Sequence, residues 1–182
     1  VSPNLNTRVF FGLDNGRIVR VDNAHTGTPT ASYLNNSAGM PVGGYVSSIA
    51  VEKGDDDHLL VTFSNYGVNS VWETQDGGAA WRSVEGNLPD MPIRWGMFHP
   101  FDPNQALLAT ELGVWSTDNL SESPVDWDPS NNGLANVRTD MLQFREADSL
   151  LLAATHGRGM FTSEVFRDVQ VRFAYSSLTA AE

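Results

Sequence analysis

The stretch TQDGGAAW, residues 74–81, decides the fold. Its Asp-Gly-Gly core supplies residues that tolerate positive φ, which a tight hairpin turn needs. The carboxylate of Asp76 can accept backbone N–H groups inside such a turn, and Trp81 can fold back over the hairpin or wedge against a neighbouring element. Each residue type is therefore explained by a turn, and the sequence favours a structural role over a catalytic or metal-binding loop.

The pattern around this stretch recurs along the chain. Helical periodicity is nearly absent, and short β-branched and aromatic runs alternate with Gly, Asn, Asp and Pro clusters. Residues 46–89 are followed by a similar arrangement at 92–135 and a shorter one at 137–164, while 8–24 matches the middle and end of the unit. The period of about 42–48 residues is typical of a four-stranded propeller blade. The sequence therefore predicts an all-β propeller, whose blades bury their apolar faces by stacking on one another.

Residues 74–81 resemble the BNR/Asp-box repeat, S/T-x-D-x-G-x-T-W, of sialidases, sortilin-type receptors, xyloglucan-hydrolase propellers and many bacterial exported propellers. The matching positions are Thr74, Asp76, Gly78 and Trp81, and Ala80 stands where the family usually has Thr. A degenerate second copy matches at Ser116 and Asp118, with Leu120 in place of Gly and with Trp127 four residues late. The first and last copies keep only Asp22 and Glu164 at the acidic position.

The resemblance is strongest to bacterial exported repeats, which share GNLP at blade ends and THGRG in the final blade. It implies an extracellular, periplasmic or cell-surface location. It also implies that the Asp-box turns join the third and fourth strands of each blade, away from the usual ligand face.

The repeat predicts about four blades, the first without its opening strand, followed by a C-terminal tail. The expected boundaries are 8–45, 46–90, 91–136 and 137–165 for the blades and 166–182 for the tail. Within the tail, VQVRFAYSS (169–177) alternates apolar and polar residues, which predicts the outer strand of the last blade or a closing strand. Propellers close with four to eight blades, and those of this family usually have six or more.

We therefore expect the missing blades to come from the rest of a longer chain or from another chain, and a four-bladed ring is less favoured. The start at Val1, without Met or a signal-peptide pattern, suggests a fragment or a processed product.

Charge and composition exclude several classes of partner. The 182 residues carry a formal net charge of −11, and there is no basic block that would release counterions from nucleic acid or bind an anionic membrane. No apolar run approaches the ~20 residues of a membrane-spanning helix. The chain has no cysteine, which removes disulfides and thiolate metal sites. The expected partner is a protein or a glycan, with no nucleic acid and no membrane insertion.

Three polar motifs are interpreted as connections. Gly54–His58 (GDDDH) lacks the alternating oxygen spacing of a calcium loop and predicts a solvated turn between the first two strands of a blade. FHPFDPN (98–104) takes the equivalent place one blade later, and NAHTGTPTASY (23–33) predicts a polar loop. The sequence predicts no cofactor and no metal site, with calcium at the acidic loops as the less favoured alternative.

In a propeller, the loops between second and third strands share one rim with the between-blade loops, and this rim is the usual ligand face. The residues predicted there are Asp14, Asn15, Arg17, Asn65, Tyr66, Asn69, Glu111, His156 and Arg158. Arg94 and Arg138 begin innermost strands and are expected to line the central channel. Together these groups predict a polar pocket for sugars or a peptide. The more conservative interpretation of ATHGRGMF (154–161) is a tight turn at Gly157 and Gly159, with His156 and Arg158 bonded to backbone.

Three functions fit this pattern. The favoured one is a non-catalytic exported propeller module that binds protein or glycan, since rigid blades present variable rim loops. The alternative is a fragment of a sialidase- or xyloglucanase-like glycoside hydrolase. Arg94, Arg138 and Arg158 supply three arginines for a sialidase-type site, but the R-I-P signature is absent and no Tyr/Glu pair can be assigned. The third is a structural subunit of a secreted or surface assembly.

Overall fold

The computed structural model describes residues 1–34, 39–134 and 136–166. Within these ranges the chain forms fourteen strands in four antiparallel sheets and no helix, so the predicted all-β propeller class is confirmed. A helix long and apolar enough to cross a membrane is therefore also absent from these ranges.

The four sheets follow one another along the chain, and we call them blades 1 to 4. Blade 1 contains β1 Val9–Gly12, β2 Ile18–Asp22 and β3 Thr30–Tyr33. Blade 2 contains β4 Val46–Glu52, β5 Asp55–Phe63, β6 Val71–Thr74 and β7 Arg82–Ser83. Blade 3 contains β8 Ile93–His99, β9 Asp102–Thr110, β10 Gly113–Thr117 and β11 Asp128–Pro129. Blade 4 contains β12 Thr139–Arg145, β13 Leu150–Thr155 and β14 Gly159–Ser163.

In each blade the strands pair in chain order, so that every blade is a meander of hairpins. The register identifies which strands of the two outer blades lie among the described residues. Phe11 of β1 faces Val19 of β2 as Val61 of β5 faces Trp72 of β6, so blade 1 begins at its second strand, as the sequence predicts. Blade 4 has its first three strands in the described residues. The expected tail strand at 169–177 lies outside the described residues.

The apolar core lies between blades rather than inside them. One buried cluster joins blades 1 and 2 through Ile18, Phe63 and Trp72. A second joins blades 2 and 3, and a third joins blades 3 and 4. Each sheet therefore depends on its neighbours for burial of its faces, which is the physical reason for the predicted stacking.

A tryptophan anchors the outer end of each complete blade to the blade before it. The indole Nε1 of Trp81 donates to the carbonyl of Leu34 at 2.7 Å, and that of Trp127 donates to the carbonyl of Val84 at 2.9 Å. Leu34 and Val84 each follow directly on the outer strand of the preceding blade. Trp127 is only 1% exposed, so its ring fills the space between two blades as well as bonding across it.

The turn at residues 74–81, which we call the Asp-box turn after the repeat that it resembles, fits closely against blade 1. Gly78 has φ +93°, a conformation that side-chain-bearing residues rarely adopt, and a Cβ there would lie 2.7 Å from Cβ of Leu34. Glycine is therefore required at this position both by the backbone conformation and by the approach of the neighbouring blade.

Two of the predicted connections differ in the structure. The GDDDH motif is not a solvated turn, because β5 already begins at Asp55 and only the short Lys53–Gly54 segment turns the chain. The polar loop predicted at 23–33 ends early, because Thr30 to Tyr33 pair with β2 as β3. Cross-strand pairing overrides the polar composition of both segments.

His58, at the end of GDDDH, is buried between two carboxylates. Its Nδ1 lies 2.5 Å from Glu52 Oε2 and its Nε2 lies 2.7 Å from Glu73 Oε1. Its ring also packs on Phe98 of blade 3, with ring centroids 4.4 Å apart. Burial acts to lower the pKa of His58, but the hydrogen bonds and charges of Glu73 and Glu52 outweigh it and raise the pKa.

This raised pKa predicts a loss of stability in alkaline solution. The stabilising charge on His58 is fully present below its unfolded-state pKa of about 6.5 and is lost as pH rises through the higher folded-state pKa. Urea unfolding between about pH 6 and pH 9 should therefore show a decline in the wild type that His58→Gln largely removes. The exposed His25 provides the matched control, and His25→Gln should keep the decline. An unchanged pH profile in His58→Gln would contradict the assignment.

Candidate ligand-binding rim

The loops between second and third strands lie beside the between-blade segments, as the topology requires. In blades 1 and 2, the amide of Gly43 donates to the carbonyl of Asn15 at 3.0 Å, and the amide of Tyr45 donates to Asn65 Oδ1 at 2.6 Å. In blade 4, the amide of His156 donates to the carbonyl of Arg138 at 2.8 Å. These bonds define one continuous edge of the blades, which we call the ligand rim.

Over blades 1 and 2 the ligand rim carries exposed aromatic rings. The guanidinium of Arg17 lies 5.4 Å from the ring centroid of Tyr33, a cation–π distance. Tyr33, Tyr45 and Tyr66 are all exposed. Asp14 and Asn69 are exposed here too, and the carbonyl of Asn69 accepts a hydrogen bond from the indole of Trp72 at 2.8 Å.

Over blades 3 and 4 the ligand rim carries alternating charges. Arg94 is ion-paired with Glu111, and Arg138 Nε lies 2.6 Å from Asp140 Oδ1. His156 Nδ1 lies 3.6 Å from Asp140 Oδ2. We call these five residues the rim charge cluster. The hydrogen bond with Asp140 chiefly raises the pKa of Arg138, and the negative charge of Glu111 on the neighbouring blade adds to the effect. The cluster therefore couples blades 3 and 4 electrostatically.

The side chains of the rim charge cluster have polar groups that a ligand can reach. The four side chains of its two arginine–carboxylate pairs are partly exposed, and His156 is largely exposed. Among the described residues, the buried Nε–H of Arg94 has no hydrogen-bond partner. An unpaired buried donor is costly to the fold.

The structure separates the predicted ligand-face residues into groups. It brings Arg94, Glu111, Arg138 and His156 into the rim charge cluster, while Asp14, Arg17, Tyr66 and Asn69 belong to the aromatic part. Arg158 lies exposed beside Gly157 and Gly159, whose φ values of 85° and 79° give the tight turn proposed as the conservative interpretation. The His156 side chain faces Asp140 rather than backbone.

Sequence reasoning missed Asp140, the acidic residue that joins Arg138 to His156. The signal in the sequence was the spacing of two residues between Arg138 and Asp140. Residues two apart in an extended segment share one face, and Asp140 in β12 pairs with Arg138, which lies just before the strand.

The Asp-box turn lies at the end of β6, between the third and fourth strands of blade 2. Asp76 Oδ1 accepts hydrogen bonds from Thr74 Oγ1 at 2.7 Å and from the amide of Ala80 at 2.9 Å. The amide of Gly78 donates to Thr74 Oγ1 at 3.0 Å. The bond from Ala80, followed by that from Thr74, lowers the pKa of Asp76. The Oδ1 oxygen of this carboxylate is therefore engaged in holding the turn.

In blade 3 the equivalent turn is one residue later than the sequence alignment placed it. Trp115 faces Pro129 as Trp72 faces Ser83, so that Thr117 takes the place of Thr74, and Asn119 takes that of Asp76. The amide of Asn119 donates to Thr117 Oγ1 at 3.3 Å, repeating the bond of Asp76 to Thr74.

The two residues first assigned to the hydroxyl and acidic positions of the turn do not hold it. The Ser116 hydroxyl instead bonds the hydroxyl of Ser130, which directly follows β11, and Asp118 is exposed.

This register predicts that substitutions at two adjacent residues lower the free energy of unfolding by different amounts. Asn119 Oδ1 accepts from Asn104 Nδ2 at 2.8 Å and from the amide of Ser121 at 3.0 Å. Asn119→Ala should therefore lower the free energy of unfolding by about 1–2 kcal/mol. Asp118→Ala is the matched control and should change it by less than about 0.5 kcal/mol. Chemical denaturation measures both changes. A larger loss for Asp118→Ala than for Asn119→Ala would support the alignment of Asp118 with Asp76 instead.

A cleft of about 540 Å³ lies between blades 3 and 4 at their outer strands, away from the rim charge cluster. A smaller cleft of about 470 Å³ lies beside Glu85 and Glu122. Burial raises the pKa of Glu85, against the hydrogen bonds that its carboxylate accepts from the amides of Ser70 and Val71. Groups of three or more acidic or histidine side chains able to hold a metal do not occur among the described residues.

Comparison with known proteins finds no matching family model and no matching curated protein. Solved structures do match. An ancestral GH74 enzyme superposes with a TM-score of 0.67 at 13% identity, over 92% of this chain and 22% of that one. The Swd1 β-propeller domain of Myceliophthora thermophila gives a TM-score of 0.57 at 17% identity, over 91% of this chain and 50% of that chain.

A third match is PorZ, a bacterial surface component of the type-IX secretion system of Porphyromonas gingivalis. Its TM-score is 0.52 at 15% identity, over 82% of this chain and 22% of PorZ. The chain thus spans half or less of the length of each of these structures. At these identities the likeness shows the fold: the chain consists of β-propeller blades.

Proposed function

We propose that the chain is a non-catalytic part of an exported β-propeller that binds a protein or a glycan at the ligand rim. The observation that carries this proposal is the rim charge cluster, where two arginines, two carboxylates and a histidine from blades 3 and 4 meet on one edge. Guanidinium and carboxylate groups together offer donors and acceptors for a polar ligand.

The pairing within the cluster favours binding over glycoside hydrolysis. A glycosidase uses two carboxyl groups across the scissile bond, and one of them must deliver a proton. Glu111 is engaged by Arg94 and Asp140 by Arg138, so each of the two carboxylates is already paired with a guanidinium. Such pairs are suited to recognition, because a ligand can replace one hydrogen-bond partner by another.

The exposed tyrosines extend the proposed surface over blades 1 and 2. A tyrosine presents an apolar ring and a polar hydroxyl, a combination enriched at binding interfaces. Tyr33 is already held by Arg17, which lowers the entropy lost when a ligand covers it. A ligand extended along the rim would therefore contact charges at one end and rings at the other.

Glycoside hydrolysis is the second candidate, since Glu111 and Asp140 are two carboxylates on one rim of a fold shared with a GH74 enzyme. A structural role in a surface assembly is the third. It is supported by the outward-facing side of blade 4, where Met160 is 72% exposed. That apolar surface fits a further blade, supplied by the rest of a longer chain or by another chain.

The export proposal rests on the Asp-box resemblance and on the acidic composition. It is also supported by the fold shared with PorZ, which is described as a surface component.

Binding is tested on a glycan array and an immobilised peptide library, comparing the wild type with the double variant Glu111→Gln/Arg138→Gln. The variant should lose at least about tenfold in affinity, equivalent to about 1.4 kcal/mol, because two charged contacts are removed. Asp118→Asn, on the Asp-box turn, is the control and should bind as the wild type does.

The hydrolase alternative is tested on a panel of chromogenic glycosides. Turnover that Glu111→Gln or Asp140→Asn abolishes would overturn the binding proposal. Equal affinity of the double variant and the wild type would exclude the rim charge cluster as the binding site.

A further inference from the structure

One register position on the third strand recurs in blades 1, 2 and 3. The residue at this position accepts, through its carbonyl, the amide of the residue that directly follows the outer strand, at 2.8–3.0 Å. The three acceptors are Ile18, Val71 and Val114. Their side chains are at most 5% exposed, and each belongs to the apolar cluster shared with the next blade. This position therefore identifies the side of each blade that faces the blade after it.

The second strand supplies residues to both sides of its blade, because successive residues of a strand point to opposite faces. In blade 2, Leu60 lies with Val71 in the cluster shared with blade 3, whereas Leu59 and Val61 lie in the cluster shared with blade 1. Each interface thus contains two residues from the earlier blade and two from the later blade, which we call an interface quartet. The three quartets are Phe10, Ile18, Leu59 and Val61; Leu60, Val71, Ala106 and Leu108; and Leu107, Val114, Leu151 and Ala153.

Blade 4 presents the first half of a further quartet. Ala154 faces Met160 as Ala109 faces Val114, so Met160 takes the position of Val114. Leu152, two residues before Ala154, is the second member of this half. Met160 is 72% exposed, whereas the residues at its position in the other three blades are buried. The outward side of blade 4 therefore has the pattern of a blade interface and lacks the facing blade among the described residues.

Blade 1 presents the second half of a quartet on its own outward side. Phe11 faces Val19 as Val61 faces Trp72, so Phe11 takes the position that Val61 has in the interface of blade 2 with blade 1. Val9, two residues earlier, is the second member and is half-buried. Phe11 is 50% exposed. The chain therefore carries both halves of one quartet, at its two opposite ends.

We propose that two copies of the chain associate head to tail, with Leu152 and Met160 of each copy packed against Val9 and Phe11 of the other. Each contact completes an interface quartet and continues the three blade interfaces within the chain. Contacts between unlike faces give a closed ring when the rotations add up to a full turn. Two copies of four blades give eight, which lies within the range of four to eight blades at which propellers close, and three copies would exceed it.

A second copy is favoured as the occupant because it covers both exposed half-quartets at once. A partner that carried only one matching face would leave either Met160 or Phe11 in water. The side chains are also matched in chemistry, since a methionine thioether makes favourable contacts with an aromatic ring. The inference rests on the blade faces and not on ligand binding at the ligand rim. The closed ring would surround one central channel with a rim charge cluster from each copy.

Sedimentation velocity of the 182-residue chain tests the proposal. The wild type should be a dimer at micromolar concentration, without larger species. Met160→Asp should raise the dissociation constant of the dimer on the order of a hundredfold or more, because each ring would bury two unpaired charges. Phe11→Lys should have the same effect from the other face. Both side chains are largely exposed in one chain, so circular dichroism should show both variants folded.

Phe101→Asp is the matched control. Phe101 is 67% exposed, but it lies in the turn between β8 and β9 and belongs to neither half-quartet. This variant should remain a dimer with a dissociation constant close to that of the wild type.

An equimolar mixture of Met160→Asp and Phe11→Lys distinguishes the head-to-tail ring from contacts between like faces. In a mixed dimer one interface has both wild-type halves. In the other, the introduced carboxylate faces the introduced ammonium group. The mixture should therefore recover the dimer that each variant alone has lost.

Each outcome decides the inference. A monomeric wild type, a dimer that survives either charged substitution, or a mass that rises beyond the dimer with concentration would overturn it. A mixture that stays monomeric would overturn it as well. The ligand assays separate this result from the proposed function. A monomer that binds a glycan or a peptide would overturn the ring and leave the proposed function standing, and a dimer that binds neither would do the reverse.

Discussion

The packing of each blade against the preceding one is the constraint on which the rest of the structure depends. A single sheet of three or four short strands has two apolar faces and no interior, so its stability comes from its neighbours. The indoles of Trp81 and Trp127 fix this packing at the outer ends of the interfaces between blades 1 and 2 and between blades 2 and 3. Each ring occupies the space between blades, and each N–H satisfies a carbonyl at the end of the preceding blade's outer strand.

This constraint divides the two rims between structure and function. The turns that precede Trp81 and Trp127 are held by Asp76 and Asn119, whose side-chain oxygens are engaged within the fold. On the opposite rim the loops carry partly exposed charges and exposed tyrosines. Because the indoles hold the blades together at the outer ends, these exposed side chains remain accessible, and a rigid stack of blades is suited to presenting a binding surface.

Much of the fold was predictable because it is repeated. The spacing of TQDGGAAW to the later copy revealed the period, and the period together with β-type patterning gave the propeller class. The rim positions of Glu111 and His156 followed from strand order alone. The exact register did not follow, because Ser116 with Asp118 and Thr117 with Asn119 both offer a hydroxyl and a polar residue two positions later. Only the pairing of Trp115 with Pro129 distinguishes them.

The buried ionic contacts were harder to predict, since they join residues far apart in sequence. His58 seemed part of an acidic surface turn, yet it is 7% exposed and bonds Glu73 on another strand. Asp140 gains its importance from Arg138 beside it and from His156 on a different strand. The sequence around a residue shows only its neighbours along the chain, whereas these contacts form only when the strands pair into a sheet.

The central claim is that the indole between blades holds the stack together. It is tested most directly by equilibrium urea unfolding of Trp127→Ala, followed by circular dichroism because the substitution removes a fluorophore. Phe101→Ala is the reference, an aromatic truncation at a side chain that is 67% exposed. The account predicts that Trp127→Ala lowers the free energy of unfolding by about 3–5 kcal/mol and that Phe101→Ala lowers it by less than about 1 kcal/mol. Similar small losses for both variants would contradict it.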